Sequence, residues 1–278
     1  MKNRYKLLFG ALIGMSFLGC EKNAVEDITK PYDGALFKVY NFAFVRTAPA
    51  TGAATVTFNS YANDVKFAAV VSTTGKEEAA GLAVGGVSPT RGYSLVPAGN
   101  DVLFKAVSSP NALVNATYGF GPNLEIASVR ANVQNGKNYS FYVNGFFDPA
   151  TKKADAFVIE DKLPQPDTAA SYIRLVNPAP NTSTLTLDIT RTYKLDGVDV
   201  VETTQPIKGV AYKSASEFIR VPSGVYTLKC TDVVSGKSVA RTTATTLQKN
   251  RVYTFTVRGD LVGTTSYPTL FLDFTENR

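Results

Sequence analysis

The chain has 278 residues, 29 Lys and Arg against 23 Asp and Glu, two cysteines, no histidine and no tryptophan. Histidine is the usual general base near neutral pH and the commonest metal ligand, so Ser-His-Asp and Cys-His sites, HExxH zinc sites and His-ligated haem are excluded. Cysteines only at positions 20 and 230 make neither a zinc knuckle nor an iron–sulfur set, and 44% hydrophobic with 19% charged residues is a globular composition.

Residues 1–19 read as a signal peptide: Lys2, Arg4 and Lys6 form a positive n-region, and Leu7 to Leu18 is an apolar run too short to span a bilayer. The run ends in Phe17-Leu18-Gly19-Cys20, which resembles a bacterial lipobox, with Cys20 as the lipidated residue after cleavage. Two or three acyl chains, at roughly 0.8 kcal/mol per buried methylene, would hold the protein on a membrane. Removing the leader leaves 26 basic against 23 acidic residues, too small and dispersed an excess for a nucleic-acid footprint. Residues 20–34 form a polar, acidic tether that resembles the surface-export signal of Bacteroidota lipoproteins, so the expected location is the outer membrane, facing the surface or the periplasm.

From residue 35 onward, four blocks recur in order. Leu36–Asn41 matches Tyr172–Asn177, and Val96-Pro97-Ala98-Gly99 matches Val221-Pro222-Ser223-Gly224. Val133–Val143 matches Leu247–Val257, and Phe157-Val158-Ile159-Glu160 is set against Leu270-Phe271-Leu272-Asp273. Each copy consists of short alternating runs rich in β-branched and aromatic residues, punctuated by Asn135-Gly136, Asp196-Gly197 and Ser235-Gly236. The expected fold is all-β, with two tandem immunoglobulin-like antiparallel sandwiches at 35–163 and 171–278 joined by a proline-containing linker at 164–170. A closed barrel per copy is the alternative. At most one helical turn is expected, near Glu77 to Leu82.

The order YIRLVNPAP, VPSGVYTLK, LQKNRVYTFTVRGD resembles the domain of unknown function 4397, found often in tandem in Bacteroidota lipoproteins. The resemblance covers the second copy well and the first loosely. It implies an envelope lipoprotein of β-sandwich type and transfers no catalytic residue.

GxSxG, SxxK, GxxxxGK[ST], GxGxxG and CxxC are all absent from the sequence. Asp188, Asp196, Asp199 and Glu202 surround one loop and read as a solvated turn, with weak calcium binding or a carboxylate pair as the sharper readings. Arg258-Gly259-Asp260 spells an adhesive tripeptide, but its glycine recurs as Gly145 in the first copy. Thr168, within Asp167-Thr168-Ala169, fits a short O-glycosylation pattern. The candidate binding aromatics are Tyr118, Phe120, Phe146 and Phe147, placed by sequence in the longer loops of the first copy. The expectation is a non-enzymatic lipoprotein with no cofactor and no metal, bound to the membrane by its lipid and to an envelope protein or a glycan. A carbohydrate-binding accessory lipoprotein is the alternative, and a carboxylate-based hydrolase the remote one.

Overall fold

The computed structural model describes residues 33–45, 56–112, 114, 119–262 and 269–278, and Asp33–Arg278 forms one compact unit. Cys20, the leader and most of the tether lie outside the described residues. Every regular element among those described is a strand. The first half holds β1 (Ala35–Val45), β2 (Asn59–Ala62), β3 (Val65–Phe67), β4 (Val87–Ser88), β5 (Ser94–Val96), β6 (Gly99–Val107), β7 (Glu125–Val133), β8 (Asn138–Asp148) and β9 (Lys153–Glu160). The second holds β10 (Ala170–Val176), β11 (Thr184–Leu195), β12 (Val198–Ala211), β13 (Ile219–Pro222), β14 (Gly224–Asp232), β15 (Ser238–Ala240), β16 (Thr245–Leu247), β17 (Val252–Arg258) and β18 (Phe271–Glu276).

The halves share one topology. In the first, the sheet β4-β1-β8-β9, with β5 also on β1, faces β3-β2-β6-β7. In the second, β13-β10-β17-β18 faces β12-β11-β14-β15, with β16 also on β14. Even the register repeats. Leu36 pairs with Asn138 as Tyr172 pairs with Val252, and Leu36 with Leu95 as Tyr172 with Arg220.

Equivalent residues do equivalent work. Asn41 and Asn177 each accept from the backbone N–H two residues on, at 3.2 Å, and donate to carbonyls of neighbouring segments, tying the first strand of each half to them. Tyr139 and Tyr253 each accept from the N–H five residues upstream, at 3.0 and 3.1 Å.

Two sequence expectations need correction. The sheets are not wholly antiparallel, because β1 runs parallel to β8 and β10 parallel to β17. The first strand of each half inserts beside the last hairpin, and the opposite sheet provides the long crossover that parallel neighbours require. The fourth repeat block is out of register: Tyr139 pairs with Glu160 and Tyr253 with Glu276, so Phe157–Glu160 corresponds to Asp273–Glu276, three residues further on. An odd shift would have turned every side chain to the opposite face. No helical turn forms near Glu77 to Leu82. Val71 bridges Glu77 and Phe58 bridges Leu82, while Gly81 (φ +78°) lies so close to the Phe58 carbonyl that a Cβ there would meet it at 2.4 Å.

Each half has its own core, centred on Phe37, Phe104 and Phe141 in one and on Leu187, Leu228 and Phe255 in the other. A third cluster lies between them. Tyr40, Phe42, Tyr142 and Phe157 of the first half pack with Val176 of the second, Tyr40 stacking on Tyr142 at 4.4 Å. The outward faces of two sheets therefore cover each other, and β1, β8, β10 and β17 are buried on both sides.

Polar residues in that layer pair across it. Arg174 is 2% exposed; it donates to Asp161 Oδ1 at 2.5 Å and to Thr254 Oγ1 at 2.9 Å. Asp161 also accepts from Ser140 and Tyr93, at 2.7 and 2.8 Å, and Asn277 joins Thr254 to Tyr93. Lys38, the repeat equivalent of Arg174, crosses the other way to the Glu276 carbonyl at 2.9 Å. Each cation lies over the equivalent ring of its own half, Lys38 over Tyr93 and Arg174 over Phe218.

Removing one partner of a buried ion pair strands the other. Asp161→Ala should therefore lower stability by about 3–5 kcal/mol in urea denaturation, and Arg174→Met combined with Asp161→Leu should recover most of that loss. Burial pulls the Lys38 ammonium down to about 8, although Asp161 and Glu276 favour its charge. Free lysine titrates near 10.4, so from about pH 8 to 10 the unfolded chain holds the extra proton and the Lys38 contribution grows with pH. Wild-type stability minus that of Lys38→Met should rise across this window, and a flat difference would sink the assignment.

Candidate functional site

The strongest departure from the shared plan is in the second half. Where β2 and β3 are 4 and 3 residues long, β11 and β12 run to 12 and 14. The body of the sheet ends where Arg191 pairs with Tyr226 of β14; beyond it, Thr192–Leu195 and Val198–Val201 pair only with each other. A two-stranded ribbon thus overhangs the sandwich. Its tip is the two-residue turn Asp196-Gly197, with φ of +51° and +81°, the left-handed pair of a type I′ hairpin.

One face of the ribbon continues the core stripe outward, pairing Ile189 with Thr204, Arg191 with Glu202, Tyr193 with Val200 and Leu195 with Val198. Ile189 is buried, whereas Leu195 and Val198 are 57% and 66% exposed. Arg191 stiffens the transition by stacking over Tyr193 at 4.2 Å and reaching Glu202 at 3.2 Å. The opposite face pairs Thr190 with Thr203, Thr192 with Val201 and Lys194 with Asp199, the last an ion pair at 3.0 Å. Under the root lies a hollow of about 210 Å³ between Arg191, Glu202, Pro206, Arg220, Pro222 and Tyr226.

Two further clefts flank the seam between the halves. One, of about 310 Å³, runs between Ile159–Lys162 and Ala215–Phe218 with Arg174 at its floor. The other, of about 400 Å³, occupies the equivalent place between Thr90-Arg91 and Phe274–Glu276. Their carboxylates carry cationic partners: Glu160 meets Lys137, Glu217 meets Lys162 and Glu276 meets Arg251.

The residues singled out by sequence are dispersed. Tyr118 and Cys20 lie outside the described residues. Phe120 and Phe147 are not a solvent-facing platform: they are 5% and 1% exposed and meet edge to face at 5.9 Å in the first core. Phe146 is half-buried against Phe44 at 4.9 Å. Thr168 is exposed, and its neighbour Asp167 is held by Arg220 at 2.7 Å. Arg258 is paired with Asp273, and Asp260 is 4% exposed, accepting from Asn181 and the Val262 N–H.

The acidic loop set does not converge. Asp188 accepts from Gln205, Asp199 and Glu202 are ion-paired along the ribbon, and among the described residues no three potential ligands come together to hold a metal. Cys230 is 1% exposed and burial pushes its thiol up to about 12, which leaves it a small core residue. The overhang itself was missed. Its sequence signal is Asp196-Gly197 between two long alternating runs, the strongest short-range hairpin pattern.

No family model and no curated protein matches the chain. Among solved structures, a putative cell adhesion protein from Bacteroides ovatus is similar at 8% identity and TM-score 0.26, over 89% of this chain and 99% of that one. A Gram-negative toxin (8%, 0.25) and pneumolysin (11%, 0.25) are similar over 63% and 64% of this chain. The chain spans about 39% of the length of each of those two. At these scores the comparisons carry no functional argument.

A β-branched residue at the +81° position of Gly197 costs about 1–3 kcal/mol of local strain. Gly197→Val should therefore speed amide exchange in 192–201 by about tenfold, while the exchange of β14 and β17 amides stays at the wild-type rate.

Proposed function

We propose that this chain is a non-enzymatic lipoprotein of the cell envelope, anchored through Cys20 to the outer membrane, and that it works as a binding or assembly module presenting the β11–β12 ribbon to a partner. Each half is read as an immunoglobulin-like module of the kind the resemblance to the domain of unknown function 4397 implies. One observation carries the reading: a block buried on both faces of its central strands extends a ribbon which, past the Arg191–Glu202 pair, carries Tyr193, Val200, Leu195 and Val198 on one face, the last two more than half exposed. Exposed apolar surface on a rigid scaffold is the usual mark of an interaction site. In the clefts, Glu160 pairs with Lys137 and Glu276 with Arg251, which supports the non-enzymatic reading.

The test exploits the pairing. Arg191 and Glu202 oppose each other in the same sense as Leu195 and Val198, so joining 191 to 202 through Asp-Gly removes the overhang and keeps a two-residue turn. Cross-linked cells carrying the tagged full chain should yield an envelope component at least about tenfold enriched over the trimmed chain, both chains melting together. Equal recovery from both would overturn the assignment of the ribbon.

A further inference from the structure

The outer edge of β12 changes character along its length. From Thr204 to Val210 it is protected: its register with β11 shifts twice, Pro206 lacks a donor, and Gly209 (φ +70°) bends the strand. From Val198 to Thr204 it is regular, and among the described residues no strand lies beyond it. Edges are normally blunted throughout, so an unprotected stretch at the exposed end of a projecting ribbon is a surface of defined chemistry. A two-residue hairpin places Leu195 and Val198 in a hydrogen-bonded pair, so the backbone groups of Val198, Val200 and Glu202 face β11. Those of Asp199, Val201 and Thr203 face outward. Alternating donors and acceptors of this kind are satisfied by another extended backbone.

We infer that the strand added to this edge is β12 of a second copy of the chain, antiparallel, about a two-fold axis at Val201. Val201 is the midpoint of the regular stretch. In that register Val201 meets Val201 of the second copy, Asp199 meets Thr203, and Glu202 meets Val200, so no like charges stand directly opposite one another. About six backbone hydrogen bonds form. Asp199 and Glu202 enter already neutralised by Lys194 and Arg191 of their own ribbon. The other two-fold registers are poorer. An axis at Val200 sets Thr203 against the turn residue Gly197 and keeps only the two Asp199–Val201 pairs, one at Glu202 or Asp199 sets a carboxylate against its own copy, and one at Thr203 forces the irregular segment holding Pro206 into the ladder. Two lipid-anchored copies share a surface, which raises their effective concentration and lets a short edge contact suffice. The inference rests on the ribbon being the contact surface and names its partner.

The register is tested by mixing. In the full chain held in one membrane through its lipidated Cys20, Val200→Cys on one copy faces Glu202→Cys on the other as a non-hydrogen-bonded pair, with Cα atoms about 4.5 Å apart and within disulfide reach. Each variant alone sets its cysteines on a diagonal of about 7–8 Å. Under mild oxidant the mixture should form disulfide dimer at least about tenfold faster than either variant alone, with Cys230 buried and silent. No disulfide dimer, or either variant alone cross-linking as fast as the mixture, would overturn the inference. As a second reading, Val201→Pro removes one outward donor without touching the β11 pairing. Measured by energy transfer between labelled lipidated copies in the same vesicle membrane, it should raise the dimer dissociation constant about tenfold relative to the native chain, and an unchanged constant counts against self-pairing. Loss of the envelope partner on trimming, with no cross-linking in the mixture, would leave the proposed function standing and this inference alone refuted.

Discussion

A guanidinium on the outward face of a β-sheet would ordinarily sit in water, and in this protein it is buried. Arg174 projects from the side of β10 that does not face its own core, and the other half of the molecule closes over it. A buried cation is tolerable only when its donors are matched. Asp161 supplies the charge, Thr254 Oγ1 accepts a hydrogen bond from the Nε–H, and Ser140, Tyr93 and Asn277 complete the network. Several of these residues sit at ends of strands or in the segments between them. The geometry of the network therefore fixes where β9, β18 and the segment before β5 must lie, and the pairing of the halves follows from it.

With both faces of the central strands covered, residues 33–278 form one block rather than two beads. The clefts beside the seam are the grooves left where equivalent segments of the two halves approach each other, which is why they come as an equivalent pair. Binding capacity then shifts to what stands clear of the block. The ribbon does so because β11 and β12 outrun β14, and Arg191, held between Tyr193 and Glu202, passes the rigidity of the core into the overhang.

The sequence disclosed the duplication because repetition of fold demands repetition of particular chemistry. Asn41 and Asn177 must tie the first strand to the segments beside it, and Tyr139 and Tyr253 must tie back a turn. It misplaced the fourth block because Leu270-Phe271-Leu272 imitates Phe157-Val158-Ile159, and only a cross-strand partner distinguishes two apolar runs three residues apart. Strand direction was not legible at all, since alternation is the same for parallel and antiparallel neighbours. Nor was the double burial of β1 and β8. Lys38 and Ser140 occupy the positions that alternation assigns to solvent, and nothing local says that another sheet will cover them. The aromatics flanked by glycine looked like loop residues, yet Phe120 and Phe147 turn inward to meet each other. The ribbon was half visible: its turn was plain, but a strand that overhangs reads like one that does not.

The reciprocal contacts between the halves have the form of a symmetric dimer, in which the same patch serves both partners. A true dimer of one module would carry every residue twice across its axis. Here Lys38 stands opposite Arg174 in role, and Asp161 opposite Asn277, so one side of the seam holds an ion pair and the other a lysine bound to a carbonyl. Covalent fusion makes that division possible. Once both modules belong to a single chain, each position is free to specialise without its mirror image, and a second carboxylate need not be buried to match the first. The second module's long hairpin belongs to the same freedom, for a dimer of identical subunits would have to project two.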